Sequence, residues 1–251
     1  RSTRVVKLTE IGQNYYNQIS DILNQLEHSN EAVRHYQAKP MGHLHISSMV
    51  GFGEPILLPL LDEFSQLYPE IILDISLSDE LSTLSRDDVD IAIRGGYAPN
   101  ERVLAIKLMS NHFIPVAAPS YLATMGRPTS ALQLPQHKGL YFRTPNGPTP
   151  WLCKLDGPWQ DVSAPQVAVS NNSKWLAKKA LNGEGIMMAP WWVLTPYIES
   201  GELQELNFEP PLSISQNDEL AIYLLYQKHR YQVPKVKAAV DFLVARIQNK
   251  F

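Results

Sequence analysis

From Leu8 to Tyr36 the chain contains no proline, and apolar or small residues stand at Leu8, Tyr15, Ile19, Ile22, Leu26, Ser29, Val33 and Tyr36. From Tyr15 onward the gaps alternate between four and three. That mean of three and a half predicts the seam of a helix that pairs with another helix, although an amphipathic helix lying on its own domain has a similar pattern. Thr9 is placed to cap it. Nearly thirty residues at the helical rise make a rod of about 40 Å, longer than most helices wrapped on a single core. Ala38-Lys39-Pro40 then breaks it from the next segment of the chain.

Beyond Pro40 short apolar strands alternate with amphipathic helices, which predicts a parallel sheet flanked by helices. The strand His43 to Ser48 leads through Met49-Val50-Gly51-Phe52-Gly53 to a helix opened by Glu54-Pro55, with Ile56, Leu57, Leu60, Leu61, Phe64 and Leu67 on its apolar face. Pro59 falls inside that helix and predicts either a kink or a later start. Strands follow at Ile71 to Leu77 and Val89 to Arg94, and later at Ile186 to Ala189 and Ile222 to Tyr226. Two more helices are expected at Trp175 to Asn182 and after Pro234, the last with Val236, Val240, Leu243 and Ile247 inward.

With 251 residues, 44% of them hydrophobic, the chain is long enough for two compact units or one bilobed one. A net charge of -3 gives no overall electrostatic reason to bind nucleic acid, so any DNA contact must be local or lie outside these residues. No apolar run is long enough to span a bilayer, and Arg1-Ser2-Thr3-Arg4 is no secretory signal, so no membrane partner is expected and the reading is cytoplasmic. Cys153 is the single cysteine, so no internal disulfide can form. A redox-sensing thiol is the sharper reading of it and a small half-buried filler the plainer one, favoured because no second cysteine can resolve an oxidised sulfur.

The start of the chain, Arg1 to Gly12, is a short basic stretch that runs into the long helix through Leu8-Thr9-Glu10-Ile11-Gly12. It resembles the end of the winged helix-turn-helix of LysR-type transcription regulators, where a basic wing strand enters the linker helix. The resemblance extends along the chain through Gly42 to Ser47, Leu58 to Phe64 with Tyr68 to Ile71, Asp90 to Gly95, Ala117 to Leu122, Gly183 to Ile186 with Ala189-Pro190-Trp191, and Val236 to Ile247. One such motif would be weak, but six in register are specific.

The resemblance implies an α/β fold of two Rossmann-like subdomains, of periplasmic-binding-protein type II architecture, joined by two crossover strands and preceded by a long linker helix. Residues 1–8 would be a remnant of the DNA-binding wing, 9–39 the linker and dimerisation helix, and 40–251 the effector-binding domain. Subdomain I would take about 40–115 and 219–251, and subdomain II about 116–218. Arg1 and Arg4 would lie close to DNA phosphates, and the helix that reads bases would precede residue 1. The implied partners are a small-molecule effector, promoter DNA through the missing N-terminal domain, and further copies of the chain in a homodimer or homotetramer.

A cleft between two α/β lobes, at the carboxyl ends of strands, is a recurrent place for a small molecule. Ser47-Ser48-Met49-Val50 leads into a helix amino end, and Asn171-Asn172-Ser173 does so from the second lobe. Both would offer free N–H groups and a dipole suited to a carboxylate, and each Ser or Asn could equally be only a cap. Arg94, at the end of its strand, would pair with an anionic ligand or form a bridge to Asp90 or Glu80. Arg143 is a second clamp or a solvated loop arginine. Of Trp151, Trp191 and Trp192, at least one is expected in the core and Trp191 in the cleft. The helix ends and arginines lean toward a carboxylate, the indoles toward an apolar body.

No cofactor is called for. The chain lacks Gly-x-Ser-x-Gly, a phosphate loop and His-Glu-x-x-His, and His43 and His45, alternating on one strand, have no Cys or carboxylate cluster beside them. The expectation is a regulator and not an enzyme. A free-standing solute-binding protein shares the two lobes, but it would need an export signal and would have no use for the first helix.

Overall fold

The computed structural model describes residues 9–35, 39–79, 89–96, 103–144, 146–216 and 220–251, with the backbone alone for 26–35. The proposed wing, including Arg1 and Arg4, lies outside these residues. Helix α1 (Glu10–His35) begins where Thr9 accepts the Gly12 N–H on its hydroxyl at 3.1 Å. Its described apolar side chains face outward, with Ile11 83% exposed, Tyr15 66% and Ile22 58%, so this described part of the helix, residues 10–25, is not in its own chain's core.

In the first lobe β1 (Gly42–Ser48) passes into α2 (Val50–Phe52), which continues through a π-helical turn, Gly53–Leu57, into α3 (Leu58–Leu67). The rod therefore starts at Val50 and not at Glu54, as the sequence pattern suggested. Leu58 donates its N–H to the carbonyl of Gly53, five residues back. Pro55 and Pro59 are four apart, so Pro59 has no N–H to give Pro55 and its ring would press on that carbonyl; the wider turn relieves both.

The lobe is completed by β2 (Ile71–Leu77), β3 (Ile91–Gly95) and β4 (Val103–Ser110). The second lobe contains β5 (Phe113–Ala117), α4 (Pro119–Met125), β6 (Gly139–Thr144), β7 (Gly147–Pro148), β8 (Leu152–Lys154), β9 (Trp159–Asp161) and β10 (Gln166–Ser170). It continues with α5 (Ser173–Leu181), β11 (Ile186–Pro190), α6 (Trp191–Glu199), β12 (Gln204–Glu205) and β13 (Leu212–Ser213). The chain then returns to the first lobe as β14 (Ala221–Gln227) and ends in α7 (Pro234–Gln248).

The first sheet runs β2-β1-β3-β14-β4 and the second β10-β6-β11-β5-β12, with a small antiparallel sheet β13-β8-β9 beside it. Neither main sheet is wholly parallel, against the simple expectation. β1 pairs in parallel with β2 and β3, whereas β14 is antiparallel to both β3 and β4. The reason is topological: β4 carries the chain out of this lobe and β14 brings it back. The outward passage is at Asn111-His112, between β4 and β5. α3 and α7 cover the first sheet around Leu44, Ile46, Phe64, Ile91, Leu224 and Leu243, all buried. Separate clusters, around Trp151 and around Leu176, fill the second lobe. Among the described residues no helix is long and apolar enough to cross a membrane.

Candidate functional site

Along β1, Leu44 and Ile46 point into the core while His43 lies outside, but Ser47 and Ser48 at its carboxyl end are both buried. Arg94, buried on β3, donates from Nη2 to the Ser47 hydroxyl at 2.6 Å and from Nη1 to the Ile93 carbonyl at 2.9 Å. Burial draws the guanidinium below its ordinary pKa and the Asp79 carboxylate draws it back up. The Ser48 hydroxyl donates to the Met49 carbonyl at 3.2 Å, and Asp79 Oδ1 accepts the Val50 N–H at 3.2 Å. The carboxylate thus closes the positive end of the helical rod. A Cβ on Gly95 would stand 3.3 Å from Asn111 Nδ2 and 3.5 Å from Met49 Sδ, so β3, the crossover and the head of α2 converge at one point.

The opposite wall is the head of α5. Asn172 caps it, accepting the Trp175 N–H on Oδ1 at 2.9 Å. A Cβ on Gly51 would lie 3.6 Å from Ser173 Oγ, and Lys174 pairs with Glu54, so the heads of α2 and α5 meet across the lobes. Deeper in, Trp192 sets its ring edge-on to Phe52 at 5.6 Å and donates from Nε1 to Asn111 Oδ1 at 3.0 Å.

Ser47, Ser48, Met49, Val50 and Arg94 are therefore assembled at one place. The other expected residues fall differently. Asn171 and Asn172 are exposed, and the Asn172 oxygen is engaged in capping. Arg143 is exposed on β6, opposite Pro148 in the hairpin with β7. Trp191 is drawn to the crossover and not to the cleft: it stacks on His112 at 5.7 Å and donates from Nε1 to the Ser110 carbonyl at 3.3 Å. The indole that reaches α2 is Trp192, through Phe52. Trp151 is wholly buried, stacked on Tyr141 at 4.7 Å.

The bridge from Arg94 to Asp90 does not form; Asp90 accepts from Arg230 Nη1 at 2.6 Å and from the His45 N–H at 3.0 Å. Glu80 lies outside the described residues. Cys153 is fully buried, and not half-buried as the filler reading had it; its thiol donates to the Pro210 carbonyl at 3.3 Å and burial raises its pKa, the opposite of a reactive thiolate. Among the described residues no three His, Cys, Asp or Glu side chains gather as a metal would need.

Sequence reasoning missed Asp79 and Asn111, and of the indoles it favoured Trp191 over Trp192. Asp79 had a legible signal, since Ser78-Asp79 follows a strand just as Ser47-Ser48 ends one. Which of two adjacent tryptophans reaches α2 had none.

Two α/β lobes on two crossovers, with polar groups at strand ends and helix heads between them, define a bilobed ligand-binding domain. The LysR substrate binding domain family matches residues 37–248, and the chain belongs to the LysR family of transcription regulators. Its fold is the two-subdomain, type II periplasmic-binding-protein-like architecture. It is 31% identical over 253 residues to the HTH-type transcriptional activator TtdR of Escherichia coli strain UTI89, covering all of this chain and 79% of that one. It is 30% identical over 251 residues to an HTH-type transcriptional regulator of Xanthomonas campestris pv. campestris, with 98% and 72% covered. Among solved structures, CrgA of Neisseria meningitidis matches with a TM-score of 0.74 at 26% identity, and the full-length Vibrio cholerae virulence activator AphB with 0.73 at 25%. Each match covers 98% of this chain and 82% of the other.

Proposed function

We propose that this chain is the effector-sensing and oligomerising part of its regulator. A small molecule of carboxylate character binds between the lobes, where the heads of α2 and α5 meet. The observation that carries this reading is the approach of Gly51 to Ser173 beside the buried Ser47–Arg94 pair. Asp79 already accepts the Val50 N–H, so the effector's charge is received by Arg94 and the head of α5. Binding changes lobe closure, and only a difference in affinity between open and closed lobes can drive that change. The reading assigns no catalytic step, and it places the protein in the cytoplasm, where promoter DNA is reached through a winged helix-turn-helix preceding residue 1.

The exposed α1 seam of Tyr15, Ile19 and Ile22 pairs with a second copy, giving a homodimer or homotetramer. A thermal-shift screen of metabolites identifies the effector, because a ligand specific to the folded state raises the melting temperature. Ser48→Trp should abolish that shift while sedimentation still reports the wild-type oligomer. Ile19→Asp with Ile22→Asp should dissociate the α1 pairing and leave the shift intact. A Ser48→Trp protein that responds fully refutes the site, and an Ile19/Ile22 double variant that keeps the oligomer refutes the seam.

A further inference from the structure

A second cavity of about 430 Å³ lies at the hinge, apart from the cleft residues above. It is walled by both connections between the lobes: Phe113 from the outward one, Leu212 and Leu220 from the return. Trp159, from the small sheet, and Phe208 supply further aromatic wall, and among the described residues of the lining Glu205 is the only Asp, Glu, Lys or Arg. Apolar walls with one carboxylate favour a flat apolar body carrying a cation and disfavour an anion.

The cavity is also joined physically to the cleft. His112, in its lining, stacks on Trp191, while the neighbouring Asn111 holds the Trp192 indole that meets Phe52. Two successive crossover residues therefore hold two successive tryptophans at the start of α6. A molecule that displaces His112 moves the same turn of helix that closes the back of the cleft.

We infer that this hinge cavity is a second small-molecule site, selective for an aromatic amine over an aromatic acid, and coupled through Asn111-His112 and Trp191-Trp192 to lobe closure.

The test titrates the whole chain with phenethylamine and with phenylacetate, probes of similar shape and opposite charge, while amide and indole resonances are followed by NMR. Phenethylamine is expected to bind at least about tenfold more tightly, a difference of about 1.4 kcal/mol. It should shift Phe113, Phe208 and the Trp159 indole first, and the Trp191 and Trp192 indoles with the same titration curve. Glu205→Gln should remove the preference between the probes, and Trp159→Ala, at a half-exposed position, should weaken both. The inference is overturned if neither probe binds below about 10 mM, if both bind equally, or if the shifts centre on Ser47 to Val50. It is also overturned if the two α6 indoles stay silent while the cavity fills. A failure of this kind leaves the cleft reading intact, because that reading is judged by the Ser48→Trp variant.

Discussion

Gly51 faces Ser173 where the heads of α2 and α5 meet, and enlarging it separates the effect of closure from that of folding. A Cβ there would stand 3.6 Å from Ser173 Oγ, an ordinary van der Waals distance, so Gly51→Ala fits. Replacing a helical glycine by alanine should stabilise the rod by about 0.5–1 kcal/mol. Leucine continues past Cβ by bonds of about 1.5 Å, and its branch cannot share the gap with Ser173 unless the lobes part. Overpacking of this kind costs about 1–3 kcal/mol, which lowers the population of the closed arrangement by roughly 5- to 150-fold. The cost falls on the contact between lobes and not on either core, so the melting temperature without ligand should barely change. Small-angle scattering and a fluorescent donor–acceptor pair placed on α3 and α5 report closure, and calorimetry reports affinity. Gly51→Leu should read as open in both and bind effector more weakly by the same factor, while Gly51→Ala behaves as wild type. A Gly51→Leu protein that closes and binds normally would show that the helix heads do not come together during sensing.

The remaining predictions concern stability and reactivity. Asp90 and Arg230 form a buried ion pair, so Asp90→Ala removes the carboxylate that the Arg230 guanidinium and the His45 N–H share. The loss should be about 3–5 kcal/mol by urea unfolding, recovered only in part in Asp90→Leu/Arg230→Met, where the His45 N–H still lacks the Asp90 oxygen; a loss under about 1 kcal/mol contradicts this account. His137 lies against the Tyr121 hydroxyl, with Nδ1 3.2 Å away, and burial holds its pKa below the usual value. The unfolded chain therefore takes up the proton first as pH falls. Stability present above about pH 6.5 is lost as pH drops from there toward the folded pKa, and His137→Gln should flatten that part of the profile. The Cys153 thiol should react with a disulfide reagent only as fast as the protein unfolds in pulse-labelling; rapid labelling of native protein would restore the redox reading.

Much of this molecule is determined locally. Spacing alone marks α1, because an apolar seam at a mean of three and a half residues needs no tertiary partner to be read, and Thr9 stands where it caps. Strands such as Ile71–Leu77 and the closing helix after Pro234 are legible for the same reason: their period records which face is buried. The serines at the end of β1 and Arg94 could be picked out because ligands collect where strands end.

What only the tertiary structure decided is how groups far apart in the chain share or compete for partners. Asp90 stands just before β3, and four residues of extended chain hold it roughly 13 Å from Arg94; it meets Arg230, 140 residues on, while Arg94 donates to Ser47. Asp79 reaches the head of α2, and Trp192 turns to Phe52 while Trp191 stacks on the hinge. Residue pattern encodes which side of an element is buried, but the atom each polar group meets depends on the packing of both lobes at once.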